Sequence, residues 1–299
     1  MKNTASTHAG PSTLLLGPAV LLFGAFALLP MVGVVALSFT KWDGLGTPTF
    51  NGFGNWTRLG HDPVLYKAVL LSLIVMAVSW LIQTPVSLLL GVFVAGHARY
   101  RALMAACFFL PLLLSSAAIS VMWRDMLDPN FGLSADLAQR LHAGWLNQQW
   151  LGDEHLAVLA VTFVLSWQFI PFHILLYQAG TRQIPRSMYE SAMLDGATRR
   201  QQFRYITLPQ LRHTLVGSST LILVGSLTSF DIVFVLTGGG PGDATRILPL
   251  HMYLTGFSRY DMGYASAIAV VLLAFGLLVS TTLVRVTGFR SMRSTQEGA

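Results

Sequence analysis

Carboxylates are scarce in this chain, with 13 acids among 299 residues, so any pair set for chemistry stands out. Asp243 follows Gly240-Pro241-Gly242, and Asp261 follows Tyr260. Two aspartates sharing one proton are the machinery of acid hydrolysis. Here both lie in stretches rich in turn residues, outside any apolar run, and a membrane-buried acid pair is not expected. His-Glu-x-x-His and Gly-x-Ser-x-Gly are absent, so zinc and serine chemistry lack their usual frames. Cys107 is the single cysteine, which leaves no disulfide framework or cysteine metal cluster within the chain. No metal-ligating or catalytic set is expected. The three lysines, Lys2, Lys41 and Lys67, follow Met1, Thr40 and Tyr66. None follows a glycine, so there is no phosphate-cradling loop, and any ATP would be bound and hydrolysed by another chain. What remains is a set of polar and aromatic residues inside apolar runs. Gln168, Phe169 and Phe172 flank Pro171, and Thr228, Ser229, Phe230 and Asp231 follow one another. Aromatic faces with a few amide, hydroxyl and carboxylate groups suit a sugar. Helix packing, with hydroxyls bonding backbone, is the competing reading. His173 is read as a packing residue.

The elements that must hold these residues follow from composition. Hydrophobic residues make up 53% and charged residues 11%, against roughly 25% charged in soluble chains, and the mean hydropathy is +0.58. An ordinary soluble enzyme, a disordered chain and a coiled coil are excluded. A helix needs about 20 mostly apolar residues to cross a bilayer core about 30 Å thick. Six stretches qualify: residues 12–40, 68–96, 102–123, 156–178, 216–236 and 262–284. Helices are the expected form, since backbone groups in lipid must be satisfied within the segment. The first run contains Ala25-Phe26-Ala27, a cleavage-like triplet, but continues well beyond it. An uncleaved signal-anchor is expected.

Charge orients these spans. With the N-terminus inside, the inner segments hold twelve basic residues and three acids, and the outer side seven and ten. Both termini are therefore expected in the cytoplasm. Topology also accounts for the net charge of +6, with no nucleic-acid partner required. The expected organisation is a cytoplasmic tail (1–11), one transmembrane domain (12–288) and a second tail (289–299). The loop of residues 41–67 reads as turns, and that of residues 124–155 as carrying a short helix near residues 135–141.

The inner loop between the fourth and fifth spans is about 35 residues long, more than a plain connection needs. Pro185 suits a first helical turn, Arg186 to Leu194 reads as a short helix, and Gly196 suits a left-handed stop after it. Thr198 can cap a second short helix through Tyr205, and Pro209 suits the start of the next. Such a lobe fits either a groove of a cytoplasmic partner or lipid headgroups.

Within it, Glu190-Ser191-Ala192, three residues, Gly196, nine residues, Ile206-Thr207-Leu208-Pro209 resembles the signature loop of membrane subunits of bacterial ABC importers. The family pattern is Glu-Ala-Ala, three residues, Gly, nine residues, Ile-x-Leu-Pro, and Ser191 stands where the first Ala is usual. Six fixed residues at roughly 5–10% usage give a chance match on the order of 10⁻⁵ over the chain. Phe230 to Thr245, through Gly238-Gly239-Gly240-Pro241, is similar to the fifth-span exit of carbohydrate importers, in particular the maltose-type first permease subunit. Gly263 to Ala269 fits the same group. The resemblance implies an all-α membrane protein of six transmembrane helices in the bacterial inner (cytoplasmic) membrane, with the coupling loop between helices 4 and 5. It implies as partners of this chain a second permease (heterodimer), two ATP-binding subunits, an extracytoplasmic solute-binding protein and membrane lipid. It places Glu190, Ser191, Ala192, Asp195, Gly196, Ile206, Leu208 and Pro209 in the coupling loop. Gln168, Phe169, Phe172, Thr228, Ser229, Phe230 and Asp231 would stand along a path for a sugar or polyol. An ion-coupled secondary transporter is the alternative, and it would need paired ionisable groups within the spans.

Overall fold

The structure, a computed structural model, describes residues 13–96 and 99–286. The expected tails, 1–11 and 289–299, lie outside these residues. The described chain is predominantly helical and divides into two compact units.

One unit contains the described residues up to His61 together with Met252–Val271. Its first apolar run forms α1 (Thr13–Phe23) and α2 (Leu29–Leu37), joined by a π-turn at Gly24–Leu28 into one helix. A two-residue ribbon follows, β1 (Thr40–Lys41) against β2 (Thr49–Phe50), antiparallel with Thr40 opposite Phe50. This ribbon is the one departure from an all-helical chain among the described residues, and β-branched Thr40 and Thr49 suit it. Buried Asn55 on α3 (Gly54–Leu59) holds the turn, donating to the carbonyls of Ser38 at 2.9 Å and Thr40 at 2.8 Å. Asp43 closes a turn by accepting from Leu45 and Gly46 N–H, which lowers its pKa below the usual carboxylate value.

The other unit contains Asp62–His251 and the described residues from Leu272. α4 (Pro63–Val94) starts five residues earlier than hydropathy suggests, because Asp62 accepts from Val64 and Leu65 N–H and Pro63 occupies the first turn. α5 (Arg99–Leu113), α6 (Ser116–Met126) and α7 (Leu133–Arg140) precede α8 (Glu154–Arg182). Asp153 caps α8 through His155 and Leu156 N–H, and these two donors hold its carboxyl below the ordinary range. α9 (Arg186–Leu194), α10 (Arg199–Gln202) and α11 (Leu208–Gln210) form the lobe, with a π-turn at Phe203–Thr207. α12 (Arg212–Leu227) and α13 (Phe230–Leu236) follow, then α14 (Leu248–Tyr253) and α15 (Met262–Val286).

α8 lies along α4, and α12 packs against both. α4 and α8 approach closely at Gly91, where a Cβ would stand 2.6 Å from Tyr177 Cβ and 2.9 Å from the Ile174 carbonyl. Only a residue without a side chain lets the two helices meet there. Gln178 seals the contact by donating to the Val94 carbonyl at 3.2 Å.

Among the described residues, four helices are long and apolar enough to cross a membrane: Leu16–Leu37, Pro63–Val94, Glu154–Arg182 and Met262–Arg285. The two other expected spans are not continuous. The run of residues 102–123 bends by 102° between α5 and α6, and that of residues 216–236 by 43° between α12 and α13. The span count is thus four, or up to six if each bent pair is one span. Both breaks have side-chain causes. At the first, Ser115 takes extended backbone and its hydroxyl accepts from Ala118 N–H, capping α6. At the second, Thr228 and Ser229 hydroxyls donate back to the Gly225 carbonyl at 3.2 and 2.7 Å. The Gly225 carbonyl thus accepts from both hydroxyls beside Thr228 N–H at the point where the ladder is interrupted.

Candidate functional site

The lobe between α8 and α12 is built by local rules. α9 ends in a Schellman closure: Gly196 N–H donates to the Met193 carbonyl at 3.1 Å, and Ala197 N–H to that of Ala192 at 2.8 Å. Gly196 has φ +78°, and nothing lies within 4 Å of where its Cβ would be. Its requirement is therefore backbone handedness rather than space. Two residues on, Thr198 opens α10 with a reciprocal capping box to Gln201. Helix, left-handed glycine and capped helix succeed one another as the sequence suggests.

The two halves of the motif do different things. Glu190, Ser191, Asp195 and Gly196 are exposed, Ala192 is half-buried, and Leu194 is 90% exposed at the tip. The chemistry-bearing end thus presents two carboxylates, small residues and an apolar knob. Ile206 and Leu208 instead pack on a buried cluster of Leu88, Tyr177, Ile184 and Leu211, joined by Tyr189 from α9. Tyr189 Oη lies 2.9 Å from the hydroxyl of buried Thr207. Pro209 sits in the first turn of α11. The lobe is therefore fastened to α4, α8 and α12 by side chains and backbone together. Gly180 on α8 lets α12 close in, with a Cβ there 2.8 Å from Thr214 Oγ1.

A cavity of about 260 Å³ lies between α4, α5, α8 and α12. Phe169, Phe172 and His173 line it from α8, Gln83 from α4, and Gly225 and Ser226 from α12. Its walls are mostly apolar, with one amide, one imidazole and one hydroxyl. His173 Nδ1 is 2.9 Å from Ser218 Oγ, while buried Ser226 Oγ has no protein partner.

Of the other residues expected along the path, Gln168, Thr228, Ser229, Phe230 and Asp231 do not line this cavity. Gln168 turns away and donates to Ser116 Oγ at 3.1 Å, at the start of α6. Thr228 and Ser229 are occupied at the α12–α13 break. Phe230 stacks on Phe234 with centroids 5.2 Å apart, and Asp231 is exposed in the first turn of α13. Gln83, His173 and Ser226 were not picked out as lining residues. Gln83 is a lone amide in a long uncharged run, and that was the signal available for it. Asp243 and Asp261 are each engaged by an arginine, with Arg246 at 3.0 Å and Arg58 at 2.5 Å.

Residues 83–290 match the family described as binding-protein-dependent transport system inner membrane component. The chain belongs to this family. It is 35% identical over 272 residues to a probable ABC transporter permease protein of Pyrococcus horikoshii, covering 89% of this chain and 91% of that protein. It is 30% identical to the arabinooligosaccharides transport system permease protein AraP of Bacillus subtilis, covering 91% and 86%. Among solved structures, a chain of a bacterial alginate ABC transporter, crystallised with an alginate pentasaccharide-bound periplasmic protein, matches with a TM-score of 0.78. That match has 21% identity and covers 91% of this chain and 92% of the other. At that identity it establishes the fold. The chain is a multi-pass inner-membrane transport component, and its family is one of transport rather than catalysis.

Proposed function

We propose that this chain forms half of the translocation path for a sugar or related polyol in a binding-protein-dependent ABC importer. A second permease completes the path, two separate ATP-binding subunits hydrolyse ATP, and an extracytoplasmic solute-binding protein delivers the solute. On this reading the bent pairs α5–α6 and α12–α13 each count as one span, giving six, with both termini in the cytoplasm. The positive-inside balance of the loops supports that orientation. Residues 12–288 form the transmembrane domain.

The observation that carries the proposal is the joint between lobe and cavity. The exposed Glu190–Gly196 end is continuous with an anchor, Ile206 and Leu208, partly buried against a cluster that includes Tyr177 of α8 and Leu211 at the start of α12. Those same helices supply Phe169, Phe172, His173, Gly225 and Ser226 to the cavity wall. When ATP draws the ATP-binding subunits together, a lobe seated in one of them moves as a rigid lever and shifts both walls at once. Glu190 pairs with a basic group of the ATP-binding subunit, and Leu194 fills an apolar recess. Two phenylalanine faces with an amide and a hydroxyl suit a neutral sugar. No lysine or arginine lines the cavity, as binding a phosphorylated solute would favour. The arabinooligosaccharides of AraP and the alginate of the structural neighbour support the carbohydrate class.

The test is a disulfide crosslink. In a Cys107→Ser background, Ser191→Cys or Ala192→Cys is paired with single cysteines along the groove of the partner ATP-binding subunit, in membranes. A crosslink whose yield changes on adding ATP is expected. No crosslink at any pair, with both proteins present, would return the lobe to a headgroup-bound surface helix.

A further inference from the structure

α7 carries an apolar stripe that its own fold leaves uncovered. Steps of about 100° per residue put Leu133, Leu137 and Leu141 on one side of this helix. Ala135 and Ala138 are turned inward and buried, and Asp136 and Arg140 pair with each other at 2.9 Å on the other flank. The three leucines are exposed, Leu141 at 65%. The chain adds Phe131 just before the helix, at 95% exposure, and Trp145 in the 3₁₀ turn just after it, at 68%. α7 lies beside α6, one half of a bent span, and the chain returns to the membrane at α8.

We propose that α7 is an interfacial helix whose leucine stripe, with Trp145 and Phe131, is seated in the headgroup–acyl boundary of the outer leaflet. The inference rests on the six-span reading, which starts and ends this loop at one membrane face. Lipid is the occupant the residues select. Leucine and phenylalanine partition into the acyl boundary, and tryptophan is the side chain most at home at headgroup depth. The flanking ion pair neutralises itself, so the helix offers no net charge to steer a protein partner. The inward face is alanine, which lets α7 lie close against the rest of the chain while the leucines point sideways. Seated this way, α7 would brace α6 against the movement of α8.

The test uses the full-length chain in phosphatidylcholine–phosphatidylglycerol nanodiscs, Cys107→Ser, with spin labels at Leu137→Cys, Gln139→Cys or Leu21→Cys. Gln139 is exposed on the far side of α7, and Leu21 is exposed on α1. Collision with oxygen reports lipid, and collision with a water-soluble nickel chelate reports water. The expected result is an oxygen-to-nickel ratio several-fold higher at 137 than at 139 and approaching that at 21. Equal ratios at 137 and 139 would overturn the proposal. So would a label at 137 that is wet in nanodiscs and becomes shielded only on adding the solute-binding protein or second permease. A wet label at 21 would strike the spanning assignment itself, which separates the two failures.

Discussion

Gly196 shows how a single residue type can be demanded by backbone handedness alone. Its φ of +78° closes α9, and the surrounding space is empty. A β-branched residue in the left-handed region costs roughly 1–2 kcal/mol, whereas asparagine adopts that region readily. Gly196→Val is therefore expected to leave the amount of protein in the membrane unchanged while lowering solute uptake at least several-fold. Gly196→Asn is expected to keep most uptake. Quantifying membrane-inserted protein alongside radiolabelled uptake checks both. A Val variant missing from the membrane would make the glycine a folding residue. Ser191, the one departure from the family pattern, is exposed at this same end and meets no packing constraint.

At the scale of elements, the helices are set by their ends as much as by their apolar bodies. Asp62, Asp153 and Thr198 each place a side-chain oxygen on free N–H groups at a helix start. For Asp153 those donors lower the carboxyl pKa, which gives its contribution a sign. A depressed carboxyl stabilises the folded chain above the ordinary carboxylate pKa of about 4, and loses that effect as pH falls through the folded value. Asp153→Asn keeps an acceptor but cannot titrate. The difference in Tm between wild type and this variant is expected to shrink from pH 7 toward pH 3. Thermal unfolding of the purified chain in detergent would show it, and a gap that widened with acid would contradict the assignment. The bends at Ser115 and at Thr228–Ser229 belong to the same logic. There, hydroxyls accept or donate where the helical ladder is interrupted.

For the whole molecule, the decisive feature is that lobe and cavity share α8 and α12. Loosening the joint should separate energy use from transport. Ile206→Ala combined with Leu208→Ala removes apolar contacts from the cluster around Tyr177 and Leu211; both side chains are partly buried, so each loss falls below the about 2–5 kcal/mol of a fully buried Leu or Ile. The double variant, assembled with its partner subunits in proteoliposomes, is expected to hydrolyse ATP while moving several-fold less solute per ATP. An unchanged ratio would mean that coupling does not pass through this anchor.

Local chemistry was legible in the residues themselves. Composition required a membrane protein, apolar runs located the spans to within a few residues at most ends, and Pro185, Gly196 and Thr198 marked out the lobe from α9 to the start of α10. These signals are written in consecutive residues. What only tertiary structure decided is which side of each helix faces which neighbour. In lipid the outer face of a helix is as apolar as the core, so periodicity does not distinguish them. That is why the sequence alone does not reveal that Gln168 bonds Ser116 while its neighbour Phe169 lines the cavity. It is also why Gln83, His173 and Ser226, far apart in sequence, were not seen to meet at one cavity. The two sharp bends were hidden for a related reason: hydropathy counts apolar residues and is blind to the direction in which the backbone carries them.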